Sequence, residues 1–219
     1  MEEENYCILS DKQIIQQMKK EHLLIYPYKE KNLNNTSYDV TLGPNYFSAS
    51  ETEQVLIPWN DMSVHNYWGQ PRYASKIQDS EAAKKFCLPI GAEYILLQPG
   101  EKILAHTNEF IGGLKFICTS LYARSSLTRL GLEISGNGWG SVGYFNRWTM
   151  QITNNTNAQI PLVVGSRIAQ VVFYFTNLVS KNYADNGSYQ SKYSGDKYEN
   201  NDKLFDRWSP GDMIPRYKL

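Results

Sequence analysis

Residues 94–107 read YILLQPGEKILAHT, two apolar runs separated by a Pro-Gly pair. A short apolar run bounded by turn residues is the pattern of a buried strand, and Pro-Gly is strong punctuation between two of them. The same signal recurs downstream at short spacing, in LKFICTSLYA (114–123), LEISG (132–136), WTMQITN (148–154), IPLVVG (160–165) and RIAQVVFYF (167–175). Many short strands separated by Gly, Pro and Asn turns predict an all-β barrel or sandwich rather than alternating βα units.

Toward the N-terminus, LSDKQIIQQMKKEHLLI (9–25) offers Ser10 or Asp11 as a helix cap, with Ile14, Ile15 and Met18 at helical spacing. A short helix near 11–21 is predicted. SYDVTL (37–42) alternates as a strand does, and Gly43-Pro44 is expected to end it. From 48 to 92 the composition turns polar with scattered aromatics, which reads as an insertion or elaborated loop with one short helix near 80–86. Its Trp68 and Tyr73 read as plugs on the domain's own surface, with a protein-partner surface as the alternative. Residues 177–219 are rich in Tyr, Lys, Ser and Asn, the composition of a mobile tail that can order over a ligand. The whole of 1–219 thus reads as a single domain with an insertion and a tail.

The balance of 22 basic and 22 acidic residues supplies no global field toward nucleic acid or a membrane. Three dispersed cysteines, Cys7, Cys87 and Cys118, make neither a disulfide framework nor a zinc ribbon. The first residues lack a secretory pattern and no run approaches a membrane span, so a soluble cytoplasmic protein is expected.

Several chemistries lack their residues. A zinc nucleobase deaminase needs a His or Cys ligand beside a Glu and a C-x-x-C pair, and the chain has no such set. P-loop and nucleophile-elbow motifs are absent too. What remains is ARSSLTRLGL (123–132). Arg124, flanked by Ser125 and Ser126 and followed by Arg129, can hold phosphate through a bidentate guanidinium fork and hydroxyl donors. On local composition alone, a solvated basic turn is the simpler reading. A second stretch, GWGSVGYFNRWTMQI (138–152), has the punctuation of an active-site turn entering a strand, yet no Asp or Glu lies between Glu133 and Asp185.

These motifs, in order, resemble the dCTP deaminase branch of the trimeric dUTPase superfamily. ILSDKQI (8–14), TSYDVTLG (36–43), LQPGEKILAHTNEFI (97–111), ARSSLTRLGL, GYFNRWTMQITN (143–154) and IPLVVGSRIAQVVF (160–173) carry the resemblance, with the Tyr/Lys tail. It implies a mainly β fold, a distorted β-barrel or jelly roll of the β-clip type with a short N-terminal helix. It also implies a homotrimer with sites between subunits, a deoxypyrimidine triphosphate ligand, Mg²⁺ held through the phosphates, and no zinc. Residue by residue, Arg124, Ser125 and Ser126 look like triphosphate contacts, and Arg129 like the arginine that orients the catalytic water. Tyr144 stands where the family has an aromatic near base and sugar, with packing alone as its structural alternative. Gln170 matches a glutamine of the RIAQ strand, with hydrogen bonding beside the barrel as its structural alternative. Tyr189 and Lys197 match residues that fold over the phosphates, and Asn201 replaces a usual glutamine.

The resemblance also locates what is missing. The turn aspartate of the family falls on Ser141 and its catalytic glutamate on Gln151. Deamination of dCTP to dUTP and ammonia needs a group that takes a proton from water and returns it, and an amide does not titrate. The expectation is a nucleotide-binding protein with weak or absent deaminase chemistry. An active nucleotide hydrolase, dUTPase-like or of altered substrate, and a structural or regulatory trimer are the alternatives. Whether Glu133 faces the site is left open by the sequence.

Overall fold

The computed structural model describes residues 7–50, 55–135, 138–181, 183 and 208–217. Along the chain run α1 (Asp11–Lys19), β1 (Leu23–Tyr26), β2 (Tyr38–Ser48), α2 (Asp61–Trp68), β3 (Arg72–Tyr73), β4 (Ser75–Lys76), α3 (Ser80–Phe86) and β5 (Glu93–Leu97). They are followed by β6 (Lys102–Gly113), β7 (Ile117–Ala123), α4 (Ser125–Thr128), β8 (Leu132–Ser135), β9 (Trp139–Gly140), β10 (Phe145–Asn154), β11 (Ile160–Val163) and β12 (Arg167–Phe175).

The opening stretch forms β5, a turn and the start of β6. Glu101 N–H donates to Gln98 O at 3.0 Å across a turn whose Gly100 has φ +75°, a conformation that favours glycine. The two strands join different sheets. β5 pairs with β11 and β4, whereas β6 lies near the middle of the main sheet, ordered β8-β10-β6-β2-β12-β7-β9, with β1 on β6 and β3 on β2. Asn154 fastens the turn, its buried amide donating to Gln98 O at 3.0 Å and to Ala158 O at 2.7 Å.

Two short connections make the main sheet curl into a half-barrel. β7 and β8 lie toward opposite ends of the strand order, yet residues 124–131 join them. The chain then passes from β8 to β9, beside β7, before returning as β10 next to β8. The three residues between β8 and β9, the two ends of the strand order, cannot span an opened sheet. The interior is packed by Tyr38, Val40, Leu42, Ile103, Ala105, Met150, Ile152, Val171 and Phe173, all fully buried. β10 shows the alternation behind this: Trp148, Met150 and Ile152 face the core, and Thr149, Gln151 and Thr153 face outward.

α1 begins one residue after Ser10, whose side chain and that of Gln13 form a capping box, and it ends at Lys19. Gly43-Pro44 does not end β2. The strand runs through it, and the break appears as a register shift on β6 between Leu42 and Tyr46. Proline has no N–H for the ladder, and the shift lets the strand continue past it. A side chain on Gly43 would meet the His106 ring, so that strand position must be bare.

Region 48–92 holds α2 as well as the expected α3, with β3 and β4 attached to the two sheets. Asn60 and Asp79 cap these helices through their side chains. α2 packs on the outer face of the main sheet. There Val64 and Trp68 join Phe47, Leu104, Met213 and Ile214 in a second hydrophobic cluster, with Trp208 against it. Trp68 is therefore a plug, whereas Tyr73 is exposed. No helix among the described residues is long and apolar enough to cross a membrane.

Candidate functional site

The residues read from the sequence fall into two groups on the outer surface of the half-barrel. The first forms where β7 runs into α4. Arg124 has extended backbone (φ −75°, ψ 125°) and caps α4, which leaves Ser125 and Ser126 exposed on its first turn. Its Nη1 lies 2.6 Å from Asp39 Oδ2, and Arg167 Nη1 reaches the same oxygen at 3.2 Å. Asp39 is 1% exposed, and its Oδ1 is buried without a hydrogen-bond partner among the described residues. A carboxylate removed from water in this way needs positive charge beside it. Two guanidiniums on one carboxylate leave one positive charge in excess, and both arginines reach solvent. The arrangement can receive an anion. Gln170 stands opposite Asp39 on one side and Tyr122 on the other, half-buried on this face.

Arg129 is exposed, and within one chain it folds back on α4: its N–H and Nε donate to Ser125 O at 3.1 and 3.2 Å. No hydrogen bond or ion pair among the described residues joins it to Gln151.

The second group lies on the β8–β10 pair. Gln151 is half-buried, flanked in register by Ser135 on β8 and Leu104 on β6. Its Nε2 is 3.5 Å from Ser135 Oγ, at the limit of a hydrogen bond. Leu104 belongs to the cluster under α2 and the C-terminal segment, so one side of Gln151 is walled by apolar groups. Thr153 pairs with Glu133, which puts Glu133 on the same face as Gln151 and settles the orientation left open by the sequence. Glu133 is exposed and accepts from Asn155 Nδ2 at 3.3 Å.

Ser141 is exposed and opens a turn closed by Tyr144 N–H donating to its carbonyl at 2.9 Å, with Gly143 at φ +89°. Tyr144 packs edge-on against Trp148 and Tyr183, with ring centroids 5.1 and 5.4 Å away. Tyr183 N–H donates to Val142 O at 2.9 Å, tying the start of the tail to this turn. Tyr189, Lys197 and Asn201 lie outside the described residues.

Between the two groups the outer face carries buried polar side chains that sequence reading did not single out as functional. Glu109 is fully buried and accepts from Thr41 N–H and Oγ1, both at 2.8 Å; burial raises its pKa. His106 is fully buried, with its pKa lowered to about 4 chiefly by burial. Trp208 covers it at 4.4 Å between ring centroids, and the Arg147 guanidinium stacks between Trp208 and Phe110 at 4.8 and 4.9 Å. Asp39, within SYDV, reads from the sequence as a structural hydrogen-bonding carboxylate, and Arg167, the first residue of RIAQ, is not singled out there; the sheet brings both to Arg124. No group of three or more His, Cys, Asp or Glu that could hold a metal ion occurs among the described residues.

Comparison with known proteins adds an independent line. A family model described as dCTP deaminase-like matches residues 8–176. A protein named dCTP deaminase, dUMP-forming, from Hydrogenobaculum sp. (strain Y04AAS1) is 31% identical over 166 residues, covering 76% of this chain and 81% of that protein. One of the same name from Clostridium botulinum (strain Eklund 17B / Type B) is 30% identical over 198 residues, covering 90% and 93%. The crystal structure of 2'-deoxycytidine 5'-triphosphate deaminase from Agrobacterium tumefaciens superposes with a TM-score of 0.55 at 17% identity. That match covers 78% of this chain and 48% of the longer Agrobacterium chain, and it shows a shared fold.

Proposed function

The chain belongs to the dCTP deaminase-like family, and from that premise we propose that it binds a deoxypyrimidine nucleoside triphosphate while deaminating dCTP only slowly. The observation that carries the reading is the pair of solvent-reaching arginines, Arg124 and Arg167, anchored on buried Asp39 beside the exposed Ser125 and Ser126. Guanidinium forks and hydroxyls suit phosphate oxygens, and Gln170 lies on the same face to donate or accept. Mg²⁺ would travel on the phosphates, and its chemistry would be charge neutralisation there. The protein groups would position the chain of phosphates.

The slow step follows from Gln151. An amide holds a water or a pyrimidine edge by fixed hydrogen bonds but cannot carry a proton through a cycle. Loss of a general acid/base costs about 10²–10⁴-fold. Ser141 in place of the turn aspartate removes a second carboxylate. A homotrimer is part of the proposal: among the described residues no hydrogen bond or ion pair joins Arg129 to Gln151, and a neighbouring copy would bring an arginine to the face of Gln151. The relatives are named dUMP-forming, so release of pyrophosphate is followed beside ammonia in the test below.

The test is incubation of the purified protein with Mg²⁺ and dCTP, dUTP, dTTP or CTP, following thermal shift, ammonia and pyrophosphate separately. A stabilising shift with the deoxypyrimidine triphosphates and low ammonia release are expected. Gln151→Glu should raise ammonia release by about 10²-fold or more. A wild type that turns over dCTP as fast as Gln151→Glu would overturn the slow-chemistry reading. Absence of any nucleotide-induced shift would overturn binding.

A further inference from the structure

We propose that the residual deamination passes through Glu133, acting as the proton carrier in place of the group missing at 151. The inference rests on the dCTP-binding reading above. Between Glu109 and Asp185 the chain contains a single carboxylate, Glu133. Strand register sets it on the face of Gln151: Ser135 opposes Gln151, and Glu133 opposes Thr153, one row along. Diagonal neighbours on one face of an antiparallel pair are about 7–8 Å apart, within reach of a long side chain. A water held by the Gln151 amide and Ser135 Oγ would therefore lie within the sweep of the Glu133 carboxylate.

Two further observations favour this side of Gln151. The other side is closed, because Leu104, its partner on β6, is buried beneath Val64, Trp68, Met213 and Ile214. Among the described residues the β8 side is open, and Glu133 is exposed at the edge of the sheet. Its present partner is the Asn155 amide at 3.3 Å, a long surface contact whose loss costs little.

The chemistry balances with water as the sole co-reactant. The Glu133 carboxylate takes one proton from water as its oxygen bonds to C4 of the cytosine ring, and delivers that proton to N3. It then takes the proton of the new C4 hydroxyl and passes it to the amino nitrogen as the C4–N bond breaks. Ammonia leaves, a C4 carbonyl and an N3–H remain, and the carboxylate is regenerated. Gln151 and Ser135 hold the water by fixed hydrogen bonds and exchange no proton.

The experiment compares wild type, Glu133→Gln, Gln151→Glu and the double variant, each checked for fold by circular dichroism. Ammonia release from Mg·dCTP gives kcat and KM, and thermal shift gives dCTP binding. Glu133→Gln should lower kcat at least 10-fold with KM and the dCTP-induced shift unchanged. In the Gln151→Glu background the same change should have less than a twofold effect, since a carboxylate then stands at 151. The proposal is overturned if Glu133→Gln keeps the wild-type kcat, or if wild type binds dCTP yet releases no ammonia above the uncatalysed rate. It is also overturned if Glu133→Gln weakens binding in proportion to rate, which would mark a structural role. Failure of wild type to bind dCTP would bring down the parent reading, and this one with it.

Discussion

Replacing His106 by glutamine should flatten the acid limb of the protein's stability. The wild-type ring is fully buried, and both of its nitrogens are committed: Nδ1–H donates to Thr107 O at 2.8 Å, and Nε2 accepts from Asn45 N–H at 3.3 Å. A proton on Nε2 would point at that N–H, in a site already desolvated and facing the Arg147 guanidinium, which adds like charge. The ring's pKa therefore falls from 6.5 in the unfolded chain to about 4 in the native one. Between those values the unfolded chain takes up a proton that the native protein refuses. The contribution of neutral His106 is thus complete above pH 6.5 and is lost as pH falls toward 4. The full gap corresponds to about 3 kcal/mol, at about 1.4 kcal/mol per pH unit, and about 2 kcal/mol is already gone at pH 5. For a chain of this size that is a fall of about 4–8 °C in Tm. Glu109, buried with a raised pKa, has the opposite sign and destabilises as pH rises through its native value. The informative quantity is therefore the difference between wild type and His106→Gln, in which the Glu109 contribution cancels. Urea denaturation at fixed protein concentration at pH 8, 6.5, 5.5 and 5 measures it. The wild-type advantage should shrink by about 2 kcal/mol from pH 8 to pH 5; a change below about 0.5 kcal/mol would refute the assignment of a buried, neutral His106.

Asp39→Asn removes the charge that holds Arg124 and Arg167 together. A loss of about 3 kcal/mol is expected in urea, the low end for a broken buried pair because both arginines reach solvent. The same variant should weaken the dCTP-induced thermal shift, whereas Thr41→Ser, on the same strand, should not. Trp208→Ala deletes the ring that covers His106 and stacks on Arg147, and should cost about 2–3 kcal/mol. Hydrogen exchange across 208–214 should rise with it, and an effect under about 0.5 kcal/mol would show that the segment is not anchored there.

Much of the fold was legible locally. The strands from 94 to 175, the Ser10-capped helix and the helix at 80–86 follow from alternation, caps and turn residues, which act over a few neighbours. The misreadings have non-local causes. Gly43-Pro44 looked like a strand end, but β2 continues because β6 accommodates a register shift and His106 fills the space over the bare glycine. α2 was missed: its buried positions, Val64 and Trp68, acquire their meaning from Phe47, Leu104, Met213 and Ile214, which are remote in sequence.

The candidate site divides in the same way. Which groups are available is written in the chain: an arginine-serine cluster at 124–126, a neutral Gln151 and Ser141, and one carboxylate nearby in sequence, Glu133. These are matters of side-chain chemistry, and no folding changes the fact that an amide cannot titrate. Tertiary structure alone decided which of them share a surface. Asp39 and Arg167, 128 residues apart, meet because β2 and β12 are neighbours in the sheet. Glu133 lies on the Gln151 face because antiparallel register, with its period of two, leaves a residue only two directions, and one step of slippage would have turned it toward the core.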